Sequence, residues 1–346
     1  MTTTTTPSPS PLATRWAALK AATPHLRTRD AAAELGVSEA ELVATMLGTV
    51  ATRLDTDAAG LLHGLTEVGR CMALTRNEQA VSEVRGCYGG VELGAHAGQV
   101  IGDAIDLRVF LAQWKHAFAL REPERRSIHV FDGSGTAVHK IYLEPEGDEA
   151  RWDALVAKHA ADLPLVIEPA QAPKADRPDA EVDVAAMTAA WDAMTDTHEF
   201  FHLLLAHRVG RVQALRLAGS ERAYPVMNEA LSLLLQEASG TGDRIMIFIG
   251  NRGCIQIFSG PVKRIVRKGP WLNVLDPGFN LHLREDLIAT SWVVRKPTKT
   301  GIVSSLELYD AAGNTIALVF RKRDDREQAE DAAWSDRLAR LPGARA

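Results

Sequence analysis

The sequence has few cysteines, no long apolar run and no excess of positive charge, and each absence argues against a class of protein. Its three cysteines, Cys71, Cys87 and Cys254, are widely spaced without a CxxC pair, which argues against a disulfide framework or a thiolate metal site. No apolar stretch approaches the roughly 20 residues of a membrane helix. The formal net charge of −5 lacks the broad attraction that nucleic-acid binders show. We therefore expect no integral membrane segment, no nucleic-acid partner and reduced thiols.

The length and composition are those of a globular protein with a sizeable core. At 346 residues, of which 46% are apolar, the chain is longer than one hydrophobic core usually supports. Its first residues, MTTTTTPSPSP, lack the basic and apolar regions of a signal peptide. We therefore expect a disordered leader over residues 1–20, a cytoplasmic location, and either two domains or one duplicated domain.

Two pairs of segments indicate an internal duplication. LGVSEAELVATML (35–47) resembles HRVGRVQALRLAG (207–219), since both are short turns that lead into a helical apolar periodicity. HVFDGSGTAVHKIYL (129–143) resembles LELYDAAGNTIALVF (306–320), and both have the alternating pattern and glycine turn of a β-hairpin. These similarities predict two copies of one structural unit.

The offset between the copies is nearly constant, which favours a tandem arrangement. Ser38 aligns with Gly210 at an offset of 172, and Asp132 aligns with Asp310 of the second hairpin segment at an offset of 178. We expect an N-terminal repeat over residues 21–166 and a C-terminal repeat over residues 184–346. Residues 167–183 between them are rich in proline, alanine and charge, as linkers are.

Each copy places helices before strands and ends in a charged helix such as residues 324–341. The short Gly and Pro punctuated connections leave no room for the crossover helices of a parallel sheet. The pattern therefore predicts an α+β fold of two similar halves, each a largely antiparallel β-sheet flanked by helices, with Ser38 and Glu41 forming a helix capping box. The strands predicted in the second copy are Arg244–Gly250, Cys254–Ser259, Leu281–Leu283, Ser291–Arg295, Ile302–Tyr309 and Thr315–Arg321.

The motif HEFFH (198–202) has the H-E-x-x-H spacing of zinc peptidases. On a helix it would bring His198 and His202 to one face beside Glu199, and Glu221 follows where a third ligand would be sought. Nothing else in the chain indicates proteolysis. On these residues alone, a zinc metallopeptidase and a non-catalytic scaffold without a metal are both alternatives.

Five stretches resemble the haemin-degrading factor and haemin transport family of cytoplasmic bacterial proteins. The resemblance runs from about residue 31 to about residue 323 in order and spacing, and its longest segment, GPWLNVLDPGFNLHLR, is specific. The stretches are MALTRNEQAV (72–81), IDLRVFLAQWKHAFAL (105–120), AVHKIYL (137–143), TDTHEFFHLL (195–204) and NRGCIQIFSGPVKRIVRKGPWLNVLDPGFNLHLRE (251–285).

The resemblance implies one haem in the C-terminal half, with His198 as the axial iron ligand. Neutral imidazole is a common haem ligand, and a helix fixes the direction of the ring. Phe200 and Phe201 are implied to seal the porphyrin or to fill the core, with core filling expected for at least one. The roles open to His202 are a second or alternative iron ligand, a shuttle during haem transfer and a buried histidine satisfied by a neighbour, of which we expect the last.

The haem propionates need cations, and the resemblance places four of them at a partly solvated rim. Arg211 follows the haem helix and Lys296 lies in VVRKPTKTG, while Arg321 and Arg323 close the last strand. Arginine binds a carboxylate with two hydrogen bonds, which suits this role.

The chain departs from the family on the distal side of the haem. Relatives often carry an arginine before the I-D-L-R segment, whereas GAHAGQVIGDAIDLR has none before Arg108. Because distal donors help decide between oxygen activation and storage, haem binding is implied more firmly than oxygenase activity. The protein is therefore expected to act in haem uptake and utilisation, either by trafficking haem, with a separate downstream oxygenase, or by degrading it with an external electron donor.

Overall fold

The chain divides into two compact units, described by a computed structural model over residues 10–170, 175–323 and 332–344. Within these residues the strands form two antiparallel sheets of nine strands each, flanked by helices, so the predicted α+β class is confirmed. None of the described helices is long and apolar enough to span a bilayer. Unit 1 comprises Met1–Leu74, Arg85–Gln171 and Arg252–Cys254, and unit 2 comprises Thr75–Val84, Ala172–Asn251 and Ile255–Ala346.

The units are not contiguous in sequence. Each consists mostly of one predicted repeat, but Thr75–Val84 of the first repeat lies in unit 2. Conversely, Arg252–Cys254 of the second repeat lies in unit 1. The predicted linker 167–183 includes residues 171–174, which lie outside the described residues. Its other end, Asp179–Glu181, is a short 3-10 helix whose Asp179 accepts hydrogen bonds from Gln213 and Arg216.

Unit 1 begins with a helix that the sequence prediction missed. Ser10 caps this helix by accepting from the N–H of Ala13, Pro11 occupies its first turn, and Trp16 is buried. The disordered leader predicted over residues 1–20 is therefore wrong from Ser10 onward, and residues 1–9 lie outside the described residues. The helices of unit 1 are α1 (Pro11–Ala22), α2 (Thr28–Leu35), α3 (Glu39–Ala44), α4 (Ala58–Leu65) and α5 (Glu149–His159).

The strands of unit 1 form two antiparallel groups. One has the order β1-β7-β8-β9-β2 and the other the order β6-β5-β4. The predicted hairpin over residues 129–143 is confirmed by β8 and β9, and Ser38 and Glu41 form the predicted capping box of α3. These strands are β1 (Ala51–Leu54), β2 (Arg70–Arg76), β4 (Gly90–Leu93), β5 (Gly98–Ile101), β6 (Asp106–Val109), β7 (His116–Glu122), β8 (Arg125–Phe131) and β9 (Ala137–Leu143).

Unit 2 repeats this plan of helices packed on antiparallel strands. The final charged helix, predicted over residues 324–341, is observed as α10, and residues 324–331 lie outside the described residues. The helices of unit 2 are α6 (Val184–Asp192), α7 (Glu199–His207), α8 (Arg211–Leu217), α9 (Ala230–Thr241) and α10 (Ala332–Ala339).

The strands of unit 2 confirm all six strands predicted for the second copy. They pair in the order β10-β16-β17-β18-β11-β12 and, separately, β3-β15-β14-β13. Three strands of the second copy, β10, β13 and β14, were not predicted. The strands are β3 (Ala80–Cys87), β10 (Ala223–Val226), β11 (Arg244–Gly250), β12 (Cys254–Pro261), β13 (Ile265–Lys268), β14 (Trp271–Asp276), β15 (Phe279–Arg284), β16 (Thr290–Thr298), β17 (Gly301–Tyr309) and β18 (Thr315–Arg321).

One hydrophobic cluster of unit 2 lies where α6, α7 and α8 pack on β16 and β17. The rings of Trp191 and Phe200 meet edge to face, with their centroids 4.7 Å apart, and Tyr309 is fully buried beside them. Burial of such large side chains provides about 1.5 to 3 kcal/mol each, so this cluster fixes α7 on the sheet.

Candidate functional site

Helix α7 begins directly after His198 and presents one face to solvent. His198 occupies the N-cap position, and Arg208 ends the helix in the left-handed conformation, with φ of 52°. Phe200 and Leu203 are buried against the core and hold the helix by their apolar side chains. The opposite face is therefore free of the packing that fixes the helix.

The imidazole of His198 is exposed and held by its neighbour Asp196. The side chain is 84% exposed, and Nδ1 lies 2.6 Å from Oδ1 of Asp196. The backbone N–H of His198 donates to the same oxygen at 2.8 Å. An N–H at Nδ1 that donates to this carboxylate leaves the lone pair on Nε2. Within the described residues nothing bonds to Nε2.

Glu199 is hydrogen-bonded at the N-terminal end of α7, which does not match the arrangement of a zinc peptidase. Its carboxylate accepts from the backbone N–H and from the hydroxyl of Thr195, both at 3.0 Å. These bonds, the backbone bond foremost, lower the pKa of Glu199. In a zinc peptidase this glutamate would instead be the general base beside the metal. Among the described residues, no group of three or more His, Cys, Asp or Glu side chains is arranged to hold a metal ion.

A row of apolar and imidazole side chains continues from His198 along the exposed face of α7. Phe201 is 61% exposed and Leu205 is 60% exposed, and His202 is also exposed. With His198, these side chains at i, i+3, i+4 and i+7 form what we call the α7 stripe. The expectation that His202 is buried was wrong. The expectation that one phenylalanine fills the core is confirmed by Phe200, which is 2% exposed.

Under α7, five polar side chains form a largely buried group that we call the Glu307 cluster: Arg211, Lys296, Ser305, Glu307 and Tyr309. The guanidinium of Arg211 donates from Nε and Nη2 to Oε2 of Glu307, each at 3.0 Å. The ammonium of Lys296 donates to Oε1 at 2.5 Å, and the hydroxyl of Tyr309 donates to Oε2. Arg211 also donates from Nε to the Tyr309 hydroxyl at 2.9 Å. Ser305 completes the bonds to the carboxylate, which is fully buried.

The Glu307 cluster has two cations for one anion. Burial alone would raise the pKa of Glu307, but the charges of Arg211 and Lys296 outweigh burial and hold the pKa well below its ordinary value. Burial lowers the pKa of Lys296 to about 8, against the opposing attraction of Glu307. Below that pH the cluster therefore carries an excess of one positive charge.

Phe200 connects the Glu307 cluster to α7. Nζ of Lys296 lies 4.7 Å from the centroid of the Phe200 ring, and Cζ of Arg211 lies 5.0 Å from it. The structure thus brings together three of the predicted site residues, Phe200, Arg211 and Lys296. Lys296, however, is only 2% exposed, so its predicted place at a solvated rim is wrong. The side chain of Arg211 keeps 24% exposure.

Glu307 and Tyr309 were missed by sequence reasoning, although a signal for them exists. In the strand SSLELY, period-two alternation places Ser305, Glu307 and Tyr309 on one face of β17. A glutamate is almost never buried without a paired cation. A buried acid flanked by hydroxyls would therefore have pointed to a partner such as Arg211 or Lys296.

The other two predicted cations lie at the end of β18. Arg321 forms an ion pair with Asp243, and the second oxygen of Asp243 accepts from Arg337 at 2.6 Å. Arg323 follows two residues later and is partly buried. Arg321 is thus engaged with a carboxylate of its own unit, in a different ion pair from that of Arg211.

Comparison with known proteins identifies the family. The family model described as "Haemin-degrading HemS.ChuX domain" matches residues 36–159 and again residues 208–341. The chain belongs to this haemin-degrading HemS/ChuX family. The two matched segments are consistent with the duplication that the sequence indicated.

Relatives in this family are similar over nearly the whole chain. The hemin transport protein HmuS of Yersinia pestis is 43% identical over 329 residues, covering 93% of this chain and 94% of the relative. Holo-PhuS, a heme-binding protein from Pseudomonas aeruginosa, is 44% identical with a TM-score of 0.94, covering 98% of this chain and 100% of that structure. The Escherichia coli O157:H7 heme degrading enzyme ChuS is 38% identical with a TM-score of 0.89, covering 96% and 98%.

Proposed function

We propose that this protein binds haem in the cytoplasm during haem uptake and utilisation, with Nε2 of His198 as the axial ligand of the iron. The observation that carries this proposal is the exposed imidazole of His198, whose Nδ1 faces Asp196 and whose Nε2 has no partner among the described residues. Membership of the HemS/ChuX family and the names of the relatives support it.

The donor chemistry of the site fits a haem iron. A neutral imidazole with its second nitrogen bound to a carboxylate is a common arrangement at protein metal sites. The N-cap position of His198 gives the ring a backbone anchor through its N–H bond to Asp196. The ring is thus already oriented before any ligand arrives, which lowers the entropic cost of binding.

The α7 stripe fits the flat apolar face of a porphyrin. Phe201 and Leu205 are large apolar side chains left 60% or more exposed on the same helix face as His198. Covering them would remove apolar surface from water, at about 25 cal/mol for each Å² buried. We assign these two side chains to the porphyrin contact and Phe200 to the support beneath it.

The Glu307 cluster supplies the positive charge that haem propionates need. Arg211 uses Nε and Nη2 on Glu307 and Tyr309, and within the described residues nothing accepts from its Nη1. We assign Arg211 to a direct propionate contact through this remaining donor. Lys296, which is buried, acts by its charge and by holding Glu307.

The site fits both haem trafficking and haem degradation, and the relatives include a heme-binding protein and a heme oxygenase. When bound, haem supplies the iron at which oxygen chemistry takes place, and the protein supplies its orientation and electrostatics. We propose haem trafficking as the basic activity. Degradation would require an external electron donor, because the sequence contains no flavin or nicotinamide motif.

A haemin titration followed by absorbance tests the binding proposal. Wild type should give a saturable one-to-one Soret band, and His198→Ala should lose this His-ligated spectrum and bind more weakly. His207→Ala is the matched control and should keep the wild-type spectrum, since it removes an imidazole of the same helix that lies outside the α7 stripe. A His198→Ala spectrum identical to that of wild type would refute the assignment of the ligand.

Turnover with a reductant separates trafficking from degradation. The loaded protein is incubated with an electron donor, with and without catalase. A biliverdin-like product and released iron in the presence of catalase would establish degradation and overturn trafficking as the sole activity. Bleaching that catalase abolishes would reflect peroxide damage and leave trafficking in place.

A further inference from the structure

The ring of His198 is bound at one nitrogen by a carboxylate only two residues away. We propose that Asp196 is the positioning residue of the axial ligand: it selects the His198 tautomer with the proton on Nδ1, so that Nε2 offers its lone pair to the iron. This inference rests on the proposed function, in which His198 binds haem.

The first support is the geometry of a single oxygen atom. Oδ1 of Asp196 lies 2.6 Å from Nδ1 of His198 and accepts the backbone N–H of His198 at 2.8 Å. One carboxylate oxygen therefore fixes both the backbone and the ring of the same residue. Because the ring is otherwise exposed, this contact restricts its rotation about χ2.

The second support is chemical. A carboxylate accepts but does not donate, so it requires the ring proton on Nδ1. An exposed imidazole without such a partner places its proton mainly on Nε2, which would block the iron-binding position. Asp196 thus favours the binding-competent tautomer before haem arrives.

The third support concerns the electron density of the ligand. A carboxylate that accepts the second N–H of a ligating histidine makes the imidazole a stronger electron donor, and loss of such a partner typically lowers metal affinity 10- to 100-fold. The pair is exposed without haem, where water screens it. Haem lying on the α7 stripe would exclude water and strengthen the bond.

Glu199 provides a matched control for the charge of Asp196. It lies next to His198 in sequence, but its carboxylate is bound to Thr195 and not to the imidazole. Glu199→Gln removes one negative charge near His198 and keeps an acceptor for Thr195. Asp196→Asn removes the charge that faces Nδ1 and keeps an acceptor for the backbone N–H of His198.

Nitrogen-15 NMR of the haem-free protein tests the tautomer directly. At mildly alkaline pH, wild type and Glu199→Gln should show His198 with its proton on Nδ1, and Asp196→Asn should shift the population toward Nε2. A wild-type His198 protonated on Nε2 would overturn the inference without any variant. This measurement contains no haem, so its result is separate from that of the His198→Ala titration.

Spectroscopy of the loaded protein tests the electronic consequence. Asp196→Asn should bind ferric haem about 10-fold more weakly, lower the iron–histidine stretching frequency and raise the midpoint potential. Glu199→Gln should match wild type in all three, and Asp196→Glu should recover part of the loss. An unchanged iron–histidine stretching frequency in Asp196→Asn would overturn the inference. By contrast, identical Soret bands in wild type and His198→Ala would overturn the proposed function itself.

Discussion

Gly36 and Arg208 occupy equivalent positions in the two repeats, and both adopt the left-handed backbone conformation. Gly36 ends α2 with φ of 68°, and Arg208 ends α7 with φ of 52°. Their offset of 172 is that of the repeat, and within the described residues Arg208 is the one non-glycine with positive φ. Glycine adopts this conformation freely, whereas arginine has a steric cost of about 1 to 2 kcal/mol. The helix that carries His198 therefore ends in a strained residue.

Replacement of this arginine should stabilise the protein. Arg208→Gly is expected to raise the free energy of unfolding by about 1 kcal/mol, because glycine removes the steric cost at the helix end. Chemical denaturation measures the change. The reverse variant Gly36→Arg is the control: a Cβ at Gly36 would meet no atom within 4 Å, so only the backbone cost applies and stability should fall. Arg208→Gly less stable than wild type would contradict the prediction.

Neutralising Glu307 should destabilise unit 2. Glu307→Gln leaves the half-buried Arg211 and the buried Lys296 without a counter-charge, and breaking a buried ion pair costs about 3 to 5 kcal/mol. Denaturant unfolding of the single variant gives the loss. The double variant Glu307→Gln/Lys296→Met removes one of the two unpaired cations and should recover part of the stability. Equal stabilities of the single and double variants would show that Lys296 is not coupled to Glu307.

Haem affinity should depend on the protonation of Lys296. Its pKa is lowered to about 8 by burial, so the Glu307 cluster changes from one excess positive charge to none as the pH rises through 8. We expect haemin affinity to weaken across this range, because the attraction to the propionates falls. Lys296→Met should bind haemin more weakly than wild type below pH 8, and its affinity should not change as the pH rises through 8. An equal change of haemin affinity near pH 8 in Lys296→Met and in wild type would show that Lys296 does not cause it.

The lowered pKa of Lys296 also predicts that folding stability increases with pH, whereas haem affinity decreases. The ordinary pKa of a lysine is 10.5, so between about 8 and 10.5 the unfolded chain binds more protons than the folded one. The contribution of Lys296 to the free energy of unfolding should therefore increase with pH in this window. Denaturation curves of wild type and Lys296→Met, measured at the lower and at the upper end of this pH window, isolate that contribution.

In unit 1, His139 should make folding sensitive to acid. Burial lowers the pKa of His139 to about 3, its Nε2 lies 2.7 Å from the hydroxyl oxygen of Tyr88, and its ring stacks on Trp114. Below about pH 6.5, His139 binds a proton in the unfolded chain but not in the folded chain. The free energy of unfolding therefore decreases as the pH falls. The slope from His139 is about 1.4 kcal/mol per pH unit. His139→Gln, which keeps a partner for Tyr88, should flatten the slope measured by denaturation.

Much of the fold followed from local pattern, whereas the site depended on tertiary contacts. β11 and β18 were predicted with their observed bounds because their apolar residues form compact runs between turns. β13 was missed because it is exposed and carries Arg267 and Lys268, so it shows no burial alternation. The burial of Lys296 could not be predicted, since it depends on Glu307 of a neighbouring strand. The contact between Asp196 and His198 is local, but it requires backbone angles that the motif does not specify.

The edge-to-face contact between Trp191 and Phe200 places an intrinsic fluorophore beside the candidate site. The indole of Trp191 lies against the ring that supports α7, and its Nε1 donates to the carbonyl of Arg295 at 2.9 Å, so its surroundings are rigid. Tryptophan emission overlaps the absorption of haem, so haem on the α7 stripe would accept energy from an indole that contacts Phe200 of the same helix. Occupation of the α7 stripe should therefore quench the fluorescence of Trp191, and the unlabelled protein would report its own loading and unloading in real time.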